Sequence, residues 1–199
     1  GRDEGLQVAQ GLVRGFSMLG YGLSYVLPHE AAWLRSHGQD LPACFAVVND
    51  TPVTRVLQTP EGSVGVVLVP ALAPGRARPD QAALDAVLEA GRKLRPKVRL
   101  LAAVLPYSTV GTVHFQERAG GLFDLYLGGG AVGTAQKAAD DAVWMRPHAK
   151  GKSVAVVRVH AWPQSGKARR WRTGDQVDFG TVYLTQEYAG DPAMRALFP

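Results

Sequence analysis

The chain has 199 residues, 46% of them apolar and 20% charged, with a formal charge of +5 from 22 Lys and Arg against 17 Asp and Glu. That composition belongs to a folded domain and excludes disordered, collagen-like and linker-like chains, since its 23 Gly and 13 Pro follow no period. The charge excess is too small to mark a chain dedicated to nucleic acid, no apolar run nears the roughly 18 to 20 residues that cross a bilayer, and the lone Cys44 rules out an intrachain disulfide, a thiolate zinc cage and a haem-attachment motif.

The opening residues Gly1-Arg2-Asp3-Glu4-Gly5 carry both charge signs and no apolar core of a secretory signal. From Leu6 to Leu19, apolar residues recur at steps of three and four (Leu6, Val8, Ala9, Leu12, Val13, Phe16, Leu19), which predicts a helix with that face inward, stopped at Gly20. Tyr21 to Leu27 reads as a short buried strand, Ala31 to Arg35 as a helix, and Cys44 to Val48 as a strand covered on both faces, with Cys44 as a small buried hydrophobe. The segments Val53 to Gln58 and Val64 to Val69 flank the turn Glu61-Gly62 and predict a hairpin. Asp80 is suited to cap a helix from Gln81 to Leu94 that turns Leu84, Val87 and Leu88 inward. Strands follow at Val98 to Leu105 and Leu122 to Leu127.

Ser153 to Ala161 and Gln176 to Leu184 alternate with period two and predict an antiparallel pair, with Val154, Val156, Phe179 and Val182 as the candidate buried face. Asp191-Pro192 opens a terminal helix. Alternating helices and strands followed by a strand-rich end indicate an α/β fold of layered mixed sheets flanked by helices, in one domain over residues 1–199. Much of the charge excess lies in Lys167, Arg169, Arg170 and Arg172, beside Trp171 and close to Trp162, on the predicted loop between the last two strands. Guanidinium forks beside an indole suit carboxylates or phosphates, so this loop is the candidate contact for a protein partner or a neighbouring subunit.

Catalytic patterns are scarce. His37, His114, His148 and His160 fall on different elements with no His-x-His or i, i+4 spacing, and Ser108 and Ser153 lie in no Gly-x-Ser-x-Gly elbow. The run Gly128-Gly129-Gly130-Ala131-Val132-Gly133-Thr134 lacks the Gly-Lys-Ser/Thr of a phosphate loop and reads as a tight turn after a strand.

Four ordered stretches resemble the metallophosphoesterase domain of the 5'-nucleotidase and UDP-sugar hydrolase family. Gly20-Tyr21-Gly22 followed by Pro28-His29-Glu30 is similar to that family's Gly-Tyr-Asp and Gly-Asn-His-Glu at equal spacing. The second stretch is the strand ending at Val47-Val48-Asn49. The third runs from Val64-Gly65-Val66-Val67 through Leu100 to Leu105 and on to Phe123-Asp124-Leu125-Tyr126-Leu127-Gly128-Gly129, and the fourth is the closing pair of strands with Asp191-Pro192. The resemblance implies a calcineurin-like fold lacking its first strand, an exported protein in the periplasm or outside the cell, and a site with two divalent ions whose bridging hydroxide attacks phosphorus.

The family's metal ligands are mostly replaced in this chain. Its Asn is Pro28, the His at its "LsH" strand end is Tyr107, and the imidazoles of its Gly-His-x-His turn are Gly130 and Val132. His29, which lies beside the phosphate in the family, survives with Glu30. The resemblance with its losses implies a degenerate, non-catalytic module with no metal or other cofactor, part of a longer chain and without the family's substrate-binding C-terminal domain. The alternatives are an active nucleotidase-like phosphohydrolase completed by upstream residues, using His29 as its catalytic histidine, and an anion or nucleic-acid binder acting through the basic loop 162–172.

Overall fold

The runs of valine and leucine between Val53 and Met145 become strands of one six-stranded sheet in the computed structural model of the chain, which describes residues 2–128, 134–137, 142–148, 152–162, 171–185 and 190–197. The chain divides into two compact units, Asp50–Thr185 and Gly1–Asn49 with Gln186–Pro199.

In the larger unit, β3 (Val53–Thr59) and β4 (Gly62–Leu68) form the predicted hairpin, pairing Val53 with Leu68 and Thr59 with Gly62. The helix α3 (Gln81–Leu94) then crosses to β5 (Leu100–Leu105), which lies parallel to β4. Asp80 caps α3 as its sequence predicts, accepting the Ala83 N–H at 2.8 Å. A second crossover, α4 (Thr109–Ala119), leads to β6 (Leu125–Gly128), parallel to β5. The strand β8 (Val143–Arg146) adds parallel to β6, and β7 (Thr134–Lys137) closes the edge antiparallel to β8. The sheet order is β3-β4-β5-β6-β8-β7.

Strand pleating divides the core in two. Leu101, Ala103, Leu105, Tyr126 and Trp144 face α3 and α4, where they pack with Leu84, Val87, Leu88 and Phe115. Leu100, Ala102, Leu125, Val143 and Met145 face the other way, onto the ribbon of β9 (Ser153–Val159) and β10 (Val177–Tyr183). This is the expected layered α/β architecture, with helices over one face of a mixed sheet and an antiparallel ribbon over the other.

The ribbon pairs as its alternation predicts, Val177 opposite Val159 and Tyr183 opposite Ser153, and Phe179 faces inward as expected, but the inward face of β9 is displaced by one residue. Ala155, Val157, Val159, Val177 and Phe179 pack on the sheet, while Val154 and Val182 are exposed. Valine occupies both faces of β9, so the strand's own sequence does not select one. The fit against Leu100, Val143 and Met145 does.

The smaller unit holds α1 (Arg2–Met18), two short parallel strands β1 (Ser24–Val26) and β2 (Phe45–Val47), α2 (Pro28–Ser36) and α5 (Pro192–Arg195). The inward face of α1 matches the predicted one only in part, at the buried Ala9 and the half-buried Val13 and Phe16. Ala9, Gly11 and Gly15 are buried, and Leu6, Val8, Leu12 and Leu19 stay exposed. Small residues allow closer backbone approach: a Cβ on Gly15 would stand 3.3 Å from the Met194 methyl group. β2 is also less covered than expected, since Ala46 is buried but Phe45, Val47 and the preceding Cys44 are half-buried.

Candidate functional site

The segment around His29 begins with a helix start. Pro28 occupies the first turn of α2, where its missing N–H removes no helical hydrogen bond, and Glu30 reaches back to accept the Leu27 N–H at 2.8 Å. Pro28 and Glu30 therefore form the local structure of the α2 N-terminus, and the exposed His29 between them borders a cavity of about 500 Å³.

That cavity lies within the smaller unit and is lined by Leu12 and Phe16 of α1, Tyr25 and Val26 of β1, Phe45 of β2, and His29, Glu30, Trp33 and Leu34 of α2. Phe16 meets Phe45 edge to face at 4.9 Å and is tilted against Tyr21 at 5.2 Å. The volume is in the range of small-molecule sites, and the walls are apolar with polar groups gathered at His29 and Glu30. The lining contains no serine, threonine, cysteine or lysine. The imidazole of His29 and the carboxylate of Glu30 can hold the polar end of a ligand.

Tyr107 follows β5 in the larger unit and is buried in the helix-side core, where its ring meets Phe115 at 6.4 Å. Its role there is packing. Gly130 and Val132 lie outside the described residues. Among the described residues, no three His, Cys, Asp or Glu side chains gather where they could hold a metal ion.

The basic segment separates into different roles. Lys167, Arg169 and Arg170 lie outside the described residues. Arg172 is exposed, with its guanidinium 3.7 Å from Asp175. Trp171 is not on the surface with it. It is 1% exposed, fills the ribbon-side core beside Val143 and Met145, and donates its indole N–H to the Asp124 carbonyl at 3.1 Å. Burying a large ring whose one polar atom finds an acceptor is more favourable than leaving it in water, which removes Trp171 from the candidate contact surface. Trp162 also packs against the ribbon-side core, and its ring lies 5.7 Å from the Arg99 guanidinium.

Sequence reasoning passed over Arg146, which ends the apolar strand Val143-Trp144-Met145 with a charge and is buried at the C-terminal edge of the sheet. A cation closing an otherwise apolar buried strand was the available signal. Its guanidinium lies 5.5 Å from the Trp144 ring and donates to the Thr109 hydroxyl at 2.5 Å.

No family profile and no curated protein matches the chain. Among solved structures it resembles a Staphylococcus aureus protein provisionally named a 5'-nucleotidase, crystallised with alpha-ketoglutarate, at a TM-score of 0.63 and 11% identity, covering 96% of this chain. The chain spans 43% of that neighbour's length. A hypothetical protein from Thermus thermophilus matches over 72% of this chain and 70% of its own, at 16% identity and a TM-score of 0.41. The first likeness concerns the fold: a mixed α/β architecture with a central mixed sheet flanked by helices, compatible with a calcineurin-like fold.

Proposed function

We propose that this chain is a non-catalytic domain of metallophosphoesterase-like fold, kept as a binding or structural module of an exported protein. The observation that carries the reading is the state of the positions that correspond, by resemblance, to metal ligands. Pro28 has no donor atom and serves as a helix start, and Tyr107 is built into an aromatic core. Gly130 and Val132 have no donor side chains. A pair of divalent ions needs several oxygen or nitrogen atoms converging at about 2.0 to 2.2 Å, and these residues do not fit such a pair. No hydrolytic step is therefore assigned to them.

The apolar cavity beside His29 supports the binding reading, because its walls offer contact area with polar groups gathered at His29 and Glu30. In this reading the exposed Arg172 and the cationic residues Lys167, Arg169 and Arg170 serve as the contact for a protein partner or a neighbouring subunit.

The test is metal analysis of the full chain after dialysis against Mn²⁺ or Zn²⁺, combined with turnover of AMP and p-nitrophenyl phosphate. The expected result is no stoichiometric metal and no turnover above background. Two retained ions per chain, with turnover lost in His29→Ala, would overturn the proposal in favour of a metal-dependent phosphohydrolase.

A further inference from the structure

At the C-terminal edge of the sheet, β5, β6 and β8 end nearly level, with Leu105 opposite Gly128 and Leu127 opposite Met145. In open α/β sheets this edge is where ligands dock. Two features meet there. The first is the start of α4, an 11-residue helix capped by Ser108, whose first-turn N–H groups have no partner within the helix. The second is the guanidinium of Arg146, 8% exposed, with its Nη1 on the Thr109 hydroxyl in that same first turn.

The Arg146 side chain is under-satisfied. Its Nε is buried and has no hydrogen-bond partner, and among the described residues no carboxylate lies within ion-pair distance. Its contacts are one neutral hydroxyl and the face of Trp144. Charges removed from water are ordinarily paired, and a buried donor left unmade is costly. By contrast the guanidinium of Arg95, also buried, donates to the Asp124 carboxylate. Gly128 fits between the adjacent strand and the Arg146 stem: a Cβ there would stand 3.0 Å from the Leu105 carbonyl and 3.8 Å from the Arg146 side chain.

We propose that the first turn of α4 and the Arg146 guanidinium together form a binding site for an oxyanion group, a phosphate or a carboxylate, at the C-terminal edge of the sheet. The fork of Arg146 donates to two oxygens, and the unpaired N–H groups at the α4 start donate to the others. The anion supplies the counter-charge that the protein withholds. The site requires neither a metal nor the cavity beside His29, so its failure leaves the proposed function standing, and the reverse also holds.

The test titrates inorganic phosphate, and separately acetate, into the full chain at constant ionic strength, following the melting temperature and the NMR resonance of the Arg146 Nε–H. The expected result is a saturable displacement of that resonance and, at about ten times the dissociation constant, a rise in melting temperature of about 3 to 6 °C. Response to phosphate alone assigns a phosphate ligand, and response to acetate alone assigns a carboxylate. Arg146→Met should abolish the rise. Because that residue is buried, Thr109→Asp provides an independent arm: an acidic residue in the first turn suits the helix, and its carboxylate occupies the site. This variant should melt higher than the wild type without ligand and lose the saturable response. An unmoved Nε–H resonance, or an unchanged response in Thr109→Asp, would overturn the proposal.

Discussion

The carboxylate of Asp124 receives the guanidinium of Arg95 from 29 residues earlier in the chain, with both side chains buried beneath the start of β6. The same Asp124 oxygen accepts the Leu101 N–H at 2.8 Å, and its backbone carbonyl accepts from Val143 N–H and the Trp171 indole. One residue thus fastens the start of β5, the start of β8 and the tryptophan that covers the ribbon side. Asp124 is also the aspartate of the strand that resembles the family's Gly-His-x-His turn, and in this chain its work is structural.

Removing either partner of this pair leaves the other charge buried. Asp124→Leu and Arg95→Met should each cost about 3 to 5 kcal/mol in urea denaturation. The double variant Asp124→Leu with Arg95→Met should cost less than the sum of the single losses, because no orphan charge remains. Strict additivity would show that the two side chains do not act as a pair.

Gly91 of α3 packs against the segment that leads into β6, and a Cβ there would stand 2.9 Å from the Phe123 ring and 3.0 Å from Leu122. That ring is held between Phe115 at 5.8 Å and Tyr126 at 5.9 Å, so it has little freedom to yield. Alanine gains up to about 1 kcal/mol of helix propensity over glycine, while overpacking costs about 1 to 3 kcal/mol. Gly91→Ala should therefore lose about 1 kcal/mol net in chemical denaturation, whereas the same change at an open helical glycine would stabilise.

Trp171 and Arg172 are neighbours in sequence with opposite consequences. Trp171→Ala should cost about 3 to 5 kcal/mol by opening the ribbon-side core. Replacing the exposed Arg172 by serine should leave the melting temperature within about 2 °C of the wild type, as expected for a surface change, and a triple variant with Arg169 and Arg170 also replaced by serine tests the whole cationic segment. If the cationic segment is a contact surface, the triple variant also weakens partner retention or self-association and flattens its salt dependence. Unchanged retention with an unchanged salt slope would reduce the segment to a solvated connection.

Glu89 and Lys93 are one helical turn apart on the exposed face of α3, with Nζ 2.5 Å from Oε1. The hydrogen bond from Lys93 and then its charge hold the Glu89 carboxyl below the usual carboxylate range. Its folded value lies under the unfolded one, so the pair's small contribution is complete above the unfolded value and is lost as pH falls through the folded value. An NMR titration of the Glu89 carboxyl should show the depressed midpoint, and Lys93→Met should return it toward the ordinary value.

What the sequence determined by itself is the set of elements whose cause is local. Asp80 as the cap of α3, the β3–β4 hairpin around Glu61-Gly62, and the antiparallel pairing of β9 with β10 follow from capping chemistry, turn residues and period-two alternation, all of which act within a few residues. The helix α4 shows where that reach ends. Thr109-Val110-Gly111-Thr112-Val113 is rich in β-branched residues and glycine, which are weak helix formers, and the helix exists because Phe115 and Ala119 find the sheet and Ser108 and Gly120 close its two ends.

Tertiary structure alone decided three further matters. It chose which face of β9 is inward, since valine stands on both. It placed Trp171 in the core, where the Asp124 carbonyl from 47 residues earlier meets its indole N–H. It also brought Arg146 to the first turn of α4, 37 residues away in sequence. Each outcome depends on a partner distant in the chain, and neither periodicity nor local propensity contains that partner's position.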